Sequence, residues 1–199
     1  MKSRVPALTP LLRSDAQGEL LALLFLQPEQ EFSLTQIAHR VGVSVSTVHA
    51  EVARLIAAGL LLERRVGQAR LVRAQADHVL FRPLAELLEL TYGPFVVLPD
   101  VLADAPGVRE AFIYGSWAAR RLGEPGAAPR DLDVVVIGDV ARAVLGPAAD
   151  EATRRLHREV NLTRVSPEVW DRGEDLFVKT LRSRPLVSIA LTEVDLEAS

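Results

Sequence analysis

The stretch of sequence that decides the fold, residues 113–138, reads IYGSWAARRLGEPGAAPRDLDVVVIG. An apolar run over residues 111–114 leads into Gly115 and Ser116, and a short helical stretch and a loop rich in glycine and proline follow. Where a strand turns into a helix, backbone N–H groups remain free to bind an anion. The pattern therefore predicts that Gly115 and Ser116 offer N–H groups and a hydroxyl to a phosphate.

Asp131 and Asp133 lie two apart at the start of a second apolar run, residues 134–137. Because side chains alternate across a strand, both carboxylates are expected on one face. Two carboxylates held together repel each other unless a cation lies between them, and magnesium is commonly bound by such a pair together with substrate phosphates. A surface turn with two solvated aspartates is the alternative, but the apolar run favours a buried strand.

In order and spacing, these residues resemble the signature of the DNA polymerase β-type nucleotidyltransferases, and in particular of their minimal branch. The resemblance rests on Gly115 and Ser116, a spacer of fourteen residues and then Asp-Leu-Asp at 131–133, and it covers roughly residues 95–190. It implies that Gly115 and Ser116 hold the triphosphate of an NTP and that the two aspartates bind two Mg²⁺ (or Mn²⁺) ions. Paired metal ions of this kind activate the attacking oxygen and stabilise the leaving pyrophosphate.

Three arginines near the motif are placed to neutralise phosphate charge: Arg120, Arg121 and Arg130. The alternative is that they belong to a solvated, flexible loop. Trp117 follows the serine directly. Its ring either stacks on a base or packs half-buried within the fold, and the sequence favours packing.

The family supplies a third acidic residue from the next strand, and here that position holds Asn161. An amide oxygen can bind magnesium, but it carries no negative charge and cannot take a proton from the attacking hydroxyl, which puts turnover in question. Glu159 is expected on the same strand face, about 7 Å along the strand. It either substitutes for the missing acid or is an ordinary glutamate at the strand end.

The first half of the chain has the pattern of a small helical domain. Ser14, Ser33 and Ser44 each stand before a helical pattern of apolar residues, so they are expected to cap three helices. Gly59 is placed to end the third of these helices.

Two strand-like segments, residues 60–65 and 69–73, follow and turn at residues 66–68. Together with the three helices they resemble a winged helix-turn-helix of the arsenic-repressor type over about residues 12–82. In that fold the third helix enters the major groove of DNA and reads bases from its N-terminal part.

The resemblance implies that double-stranded DNA is a partner. The expected contacts are outward polar residues of the third helix and arginines of the wing, namely Ser46, Thr47, His49, Arg54, Arg64, Arg65, Arg70 and Arg73. Hydroxyl side chains suit phosphate or base contacts, and a compact basic group suits the DNA backbone or minor groove. A protein-interaction module is the alternative, because this helix face carries little charge.

The two halves meet near residue 93, where Thr-Tyr-Gly-Pro at 91–94 interrupts the pattern. We therefore predict an α+β fold, with a winged helix-turn-helix over 1–90 followed by a small mixed-sheet nucleotidyltransferase-like domain over 91–199. An amphipathic helix over 78–90 is expected to link the halves or to build the interface of a homodimer, since such regulators dimerise to match two half-sites.

The second half is expected to contain helices over 95–103, 116–122 and 140–157, short helices after Pro167 and near Leu176, and strands over 109–114, 131–138, 159–165 and 186–190. An acidic tail over 193–199 is expected to be frayed.

Composition narrows the class of protein. Of 199 residues, 49% are hydrophobic and 25% charged, the net charge is −3 and there is no cysteine, which excludes a disulfide scaffold and thiolate sites. The longest apolar run, residues 20–26, is far shorter than the eighteen or so residues of a membrane-spanning helix. With no sign of a secretory signal, a cytoplasmic protein with no membrane partner is expected.

Two main functional hypotheses and a weaker third follow. In the first, an active enzyme transfers a nucleoside monophosphate from an NTP to a hydroxyl on a protein, an RNA or a small molecule. In the second, the transferase-like domain binds nucleotide without turnover and regulates DNA binding by the winged helix. The third is an antitoxin-like component of a toxin–antitoxin pair, which only the family resemblance suggests.

Overall fold

The computed structural model describes residues 8–191, and the chain divides into two compact units, Met1–Pro94 and Phe95–Ser199. The sheets are small and the fold is mixed α+β, as the sequence predicts. No helix within residues 8–191 is long and apolar enough to cross a membrane. The acidic tail predicted over 193–199 lies outside the described residues.

The elements of the first unit, after a short 3₁₀ turn at Thr9–Leu11, are α1 (Asp15–Phe25), β1 (Phe32–Ser33), α2 (Leu34–Val41), α3 (Val45–Ala57), β2 (Leu61–Val66), β3 (Ala69–Ala74) and α4 (Phe81–Tyr92). The three strands form an antiparallel sheet in the order β1-β3-β2.

The three predicted serine caps are confirmed. Ser14, Ser33 and Ser44 each accept a hydrogen bond from the backbone N–H three residues ahead, at 3.2, 3.2 and 3.1 Å. At Ser33 the cap is reciprocal, because the Ser33 N–H also donates to Gln36 Oε1 at 2.8 Å. Gly59, with φ of +73°, follows α3 as predicted.

The helix predicted over 78–90 is displaced along the chain. It begins at Phe81, since residues 76–80 form turns in which the Leu80 N–H donates to His78 Nδ1 at 3.2 Å. It ends at Tyr92, which is buried with Leu88 in the core of the first unit. This helix therefore belongs to the first unit, which ends at Pro94.

The elements of the second unit are α5 (Pro94–Ala103), β4 (Val108–Tyr114), α6 (Gly115–Arg121), β5 (Asp131–Gly138), α7 (Arg142–Leu156), β6 (Glu159–Val165), α8 (Pro167–Arg172), α9 (Leu176–Arg182) and β7 (Val187–Ser188). The sheet order is β6-β5-β4-β7, with β5 and β6 parallel and the other pairs antiparallel. The last strand has only two residues, fewer than predicted.

The central strand β5 supplies both faces of this sheet with buried side chains. Leu132, Val134 and Val136 belong to a core cluster that includes residues of α5 and α7. Val135 and Ile137 point the other way and pack in a second cluster with residues of α8 and α9. By the same alternation, Asp131 and Asp133 begin the face that α8 and α9 cover farther along.

Candidate functional site

The two aspartates occupy the start of β5. Asp131 and Asp133 are half-exposed, while Leu132 between them is fully buried. This burial pattern places both carboxylates on one face of the sheet, at the start of β5, which is the arrangement that the sequence predicts. The buried residues that follow anchor the strand beneath the pair.

The neighbouring strands bring defined partners to Asp133. It lies opposite Tyr114 on β4 and opposite Asn161 on β6. The Asn161 side-chain N–H donates to Asp133 Oδ1 at 3.1 Å. Asn161 therefore lies beside the pair, as expected of the third position, but acts here as a hydrogen-bond donor to a carboxylate.

Glu159 is aligned with the other aspartate, Asp131, across the parallel strands. It is exposed, and no group of three or more His, Cys, Asp and Glu side chains suited to a metal ion occurs among residues 8–191. Glu159 is thus aligned with the aspartate pair but does not form a three-carboxylate cluster with Asp131 and Asp133.

Gly115 lies directly beside the Asp133 carboxylate. Its φ is +72°, and a Cβ atom at this position would lie 2.9 Å from Asp133 Oδ2. Glycine is required both by the left-handed backbone and by this close approach. The exposed Ser116 follows, so the Gly-Ser turn and the carboxylate pair adjoin directly.

The donor set suits a hard divalent cation. The two carboxylates offer oxygen ligands, and magnesium is usually held by one or two carboxylates with phosphates and waters completing its shell. The two carboxylates present therefore fit a magnesium ion whose other ligands come from outside the protein.

The three candidate arginines differ in their surroundings. Arg120 has its Nε and Nη1 atoms buried without a hydrogen-bond partner in the described part of the chain. Its guanidinium lies against Gly126, where any side chain would collide with it. Buried guanidinium N–H groups without a partner are costly, and these two atoms are covered by the protein itself.

The other two arginines and the tryptophan are arranged otherwise. The Arg121 guanidinium lies 5.6 Å from the centre of the Phe95 ring, and Trp117 packs edge-to-face against the same ring at 5.9 Å. The half-buried Trp117 is thus a packing residue rather than a free stacking surface. Arg130 is exposed and directly precedes the first aspartate of the pair.

Sequence reasoning missed one cation at this site, Arg158. Burial lowers the pKa of Arg158, and the nearby Asp131 carboxylate raises it by a smaller amount. Arg158 lies near the pair because Asp131 is aligned with Glu159, the residue after this arginine, in the register of β5 and β6. Pairing of β5 with β6 in that register could not be read from either segment alone.

Two aromatic residues near the pair were also missed. Tyr114, opposite Asp133, meets the ring of Phe177 edge-to-face at 6.0 Å between centroids. Phe177 belongs to α9, so no local sequence pattern links it to the motif.

In the first unit, α3 presents the predicted face. Ser46, Thr47, His49 and Arg54 are exposed, while Val48 and Val52 are fully buried on the opposite side of the helix. The hydroxyls of the first two also belong to the cap, since the Ser44 hydroxyl lies 2.8 Å from each of them.

Most of the predicted basic residues of this unit form ion pairs. Arg64 donates to both carboxylate oxygens of Glu31, and this contact lowers the pKa of the glutamate. The other pairs are Arg70 with Glu63, at 2.6 Å, and Arg54 with Glu51. Of the remaining wing arginines, Arg65 is exposed and Arg73 half-exposed.

Comparisons of the chain with protein-family models, curated proteins and solved structures give no match.

Proposed function

We propose that the second unit is a minimal nucleotidyltransferase-like domain that transfers a nucleoside monophosphate from an NTP to a hydroxyl acceptor, and that the first is a winged helix-turn-helix that binds double-stranded DNA. The observation that carries the first part is the adjacency of Asp131, Asp133 and the Gly115 turn on one sheet face. The outward polar face of α3 and the basic β2–β3 hairpin support the second.

In the proposed reaction the acceptor hydroxyl oxygen attacks the α-phosphorus, the bond to the bridging oxygen breaks, and pyrophosphate leaves. Asp131 and Asp133 would hold magnesium, which supplies positive charge to the reacting phosphates. Gly115 and Ser116 bind the triphosphate beside them. Arg120, four residues after Ser116, would contribute positive charge near the phosphates.

The proton of the acceptor hydroxyl has no carboxylate at the Asn161 position to receive it. Asn161 instead orients Asp133 through its side-chain amide. The proton therefore passes to water or to Glu159, which is aligned with Asp131 across β5 and β6. Slow turnover is the expected consequence.

The test is transfer of label from each α-labelled NTP, with Mg²⁺ or Mn²⁺, to protein and RNA of a cell lysate. We expect labelled product with the parent chain and none with the Asp131→Ala/Asp133→Ala double variant. Asp139→Ala is the matched control, because Asp139 is an exposed aspartate just beyond the other end of β5. Undiminished transfer by the double variant would overturn the mechanism.

A second candidate function is nucleotide sensing without turnover. Asn161 favours it, because a site with two acids and an amide can bind a metal–nucleotide complex but lacks the usual proton acceptor. In that case the parent chain binds NTP with magnesium but transfers no label.

A further inference from the structure

Two apolar side chains at the start of α9 are exposed, and one of them is aromatic. Phe177 leaves 38% of its surface exposed, and its neighbour Leu176 leaves 80% exposed. Exposed apolar side chains are common on protein surfaces, so the position of Phe177 relative to the carboxylate pair decides its role.

The position of Phe177 is fixed by the start of its helix. Asp175 Oδ1 accepts hydrogen bonds from the backbone N–H groups of Phe177 and Val178, at 2.9 and 3.2 Å. Val178 and Leu181, on the inner side of the helix, are buried against β5 residues of the same cluster. The exposed Phe177 ring thus belongs to a helix whose opposite side is packed in the core.

Tyr114 lies between the Phe177 ring and the carboxylate pair. Phe177 meets Tyr114 edge-to-face, with centroids 6.0 Å apart and an interplanar angle of 82°. Tyr114 is in turn aligned with Asp133 across β4 and β5, so the two side chains share one face of the sheet. Tyr114 also precedes Gly115, where the triphosphate would bind.

We propose that Phe177, supported by Tyr114, is the platform on which the nucleobase of the bound nucleotide stacks; this rests on the proposed function of the carboxylate pair. A nucleobase is the part of an NTP that matches a flat apolar surface, whereas the phosphates require the charged groups of the same face. Trp117 is not available for this role, because it packs against Phe95, as the sequence favours.

The test compares a ligand that has a base with one that has none. The affinities of each of the four NTPs and of inorganic tripolyphosphate, all with Mg²⁺, are measured by calorimetry for the parent and for Phe177→Ala. We expect the variant to bind at least one NTP about tenfold more weakly, which is about 1.4 kcal/mol. Tripolyphosphate binding should not change.

Two further variants separate stacking from general damage. Phe177→Trp keeps an aromatic ring and should bind NTP as the parent does. Leu122→Ala removes another exposed apolar side chain, 59% exposed at the end of α6, and should have no effect. Loss of NTP affinity in Phe177→Trp equal to that in Phe177→Ala would overturn the platform.

The outcomes distinguish this proposal from the one on which it depends. If the parent binds NTP and Phe177→Ala binds it equally well, the platform is wrong and the carboxylate site stands. The platform is also wrong if tripolyphosphate loses affinity to the same degree as NTP. If the parent binds neither ligand, both proposals fail.

Discussion

Gly115 makes the closest approach to the carboxylate pair, and a single methyl group there tests the geometry. Gly115→Ala places a side chain at φ of +72° and 2.9 Å from Asp133 Oδ2. We expect a loss of stability on the order of 1 kcal/mol from the backbone and, in addition, a marked loss of Mg²⁺–NTP affinity because the carboxylate must move. Urea denaturation and calorimetry measure the two effects.

Gly123→Ala is the matched control for that substitution. Gly123 has a similar φ of +88°, but a Cβ atom there meets nothing within 4 Å. It should show the backbone cost without the loss of nucleotide affinity. Equal nucleotide affinity in both variants would contradict a role for the close contact between Gly115 and Asp133.

Asn161 tests whether the site lacks only its third acid. Asn161→Asp replaces a hydrogen-bond donor 3.1 Å from Asp133 Oδ1 by a carboxylate, the third at the site. Repulsion on the order of 1 kcal/mol in solvent should lower the melting temperature by several degrees without metal, and Mg²⁺ should restore it. Label transfer should rise if proton removal limits the rate.

Asn161→Ala distinguishes this repulsion from loss of the hydrogen bond. The alanine variant should also melt at a lower temperature, but without the added carboxylate Mg²⁺ should not restore it beyond its effect on the parent. The same magnesium response in Asn161→Asp and Asn161→Ala would rule out metal binding by the introduced acid.

The wing hairpin offers a test at the scale of an element. Glu31 and Glu63 bind Arg64 and Arg70, so these guanidinium groups must exchange a carboxylate for a phosphate if they contact DNA. The hydrogen bond from Arg64 holds the pKa of Glu31 below its ordinary value. A carboxylate that is charged at neutral pH competes with phosphate for the guanidinium.

We therefore expect Glu31→Gln/Glu63→Gln to bind duplex DNA more tightly and with a steeper salt dependence. Each arginine freed to contact a phosphate steepens the slope of log affinity against log salt by about one. Fluorescence anisotropy over a salt series measures both quantities. Glu151→Gln, which removes a carboxylate that pairs with Arg154 in the second unit, is the control. An unchanged slope in the double variant would argue against phosphate contacts by the wing.

Local chemistry explains which elements were predictable. The caps at Ser14, Ser33 and Ser44 depend on residues within one helical turn, so the sequence specifies them directly. The same holds for the alternation at Asp131 and Asp133. By contrast, the pairs of Arg64 with Glu31 and of Tyr114 with Phe177 join distant segments, and only the folded chain brings them together.

At the scale of the whole molecule, each unit has its own core. The buried cluster of the first unit ends with Tyr92, and those of the second begin with Val97. We expect fragments 1–93 and 94–199 to fold independently, each with a cooperative unfolding transition followed by circular dichroism. A fragment that unfolds without cooperativity would show that its core depends on the other unit.

Nucleotide sensing, unlike transfer alone, requires the two units to influence each other. If Mg²⁺–NTP changes the DNA affinity of the full chain by some factor, DNA must change the NTP affinity by the same factor, because binding free energies are linked. For a sensor we expect at least about fivefold in both directions, the lower end of typical coupling. Anisotropy with labelled DNA and calorimetry with NTP measure the two factors separately.

The variants already described make this measurement specific. Asp131→Ala/Asp133→Ala should lose the effect of nucleotide on DNA binding while keeping the DNA affinity of the nucleotide-free chain. Fragment 1–93 should bind DNA but not respond to NTP at all. A coupling factor of one in the full chain, together with label transfer by the parent, would identify the carboxylate pair as an enzyme site that acts independently of DNA, because a ligand with no preference between two states cannot shift them.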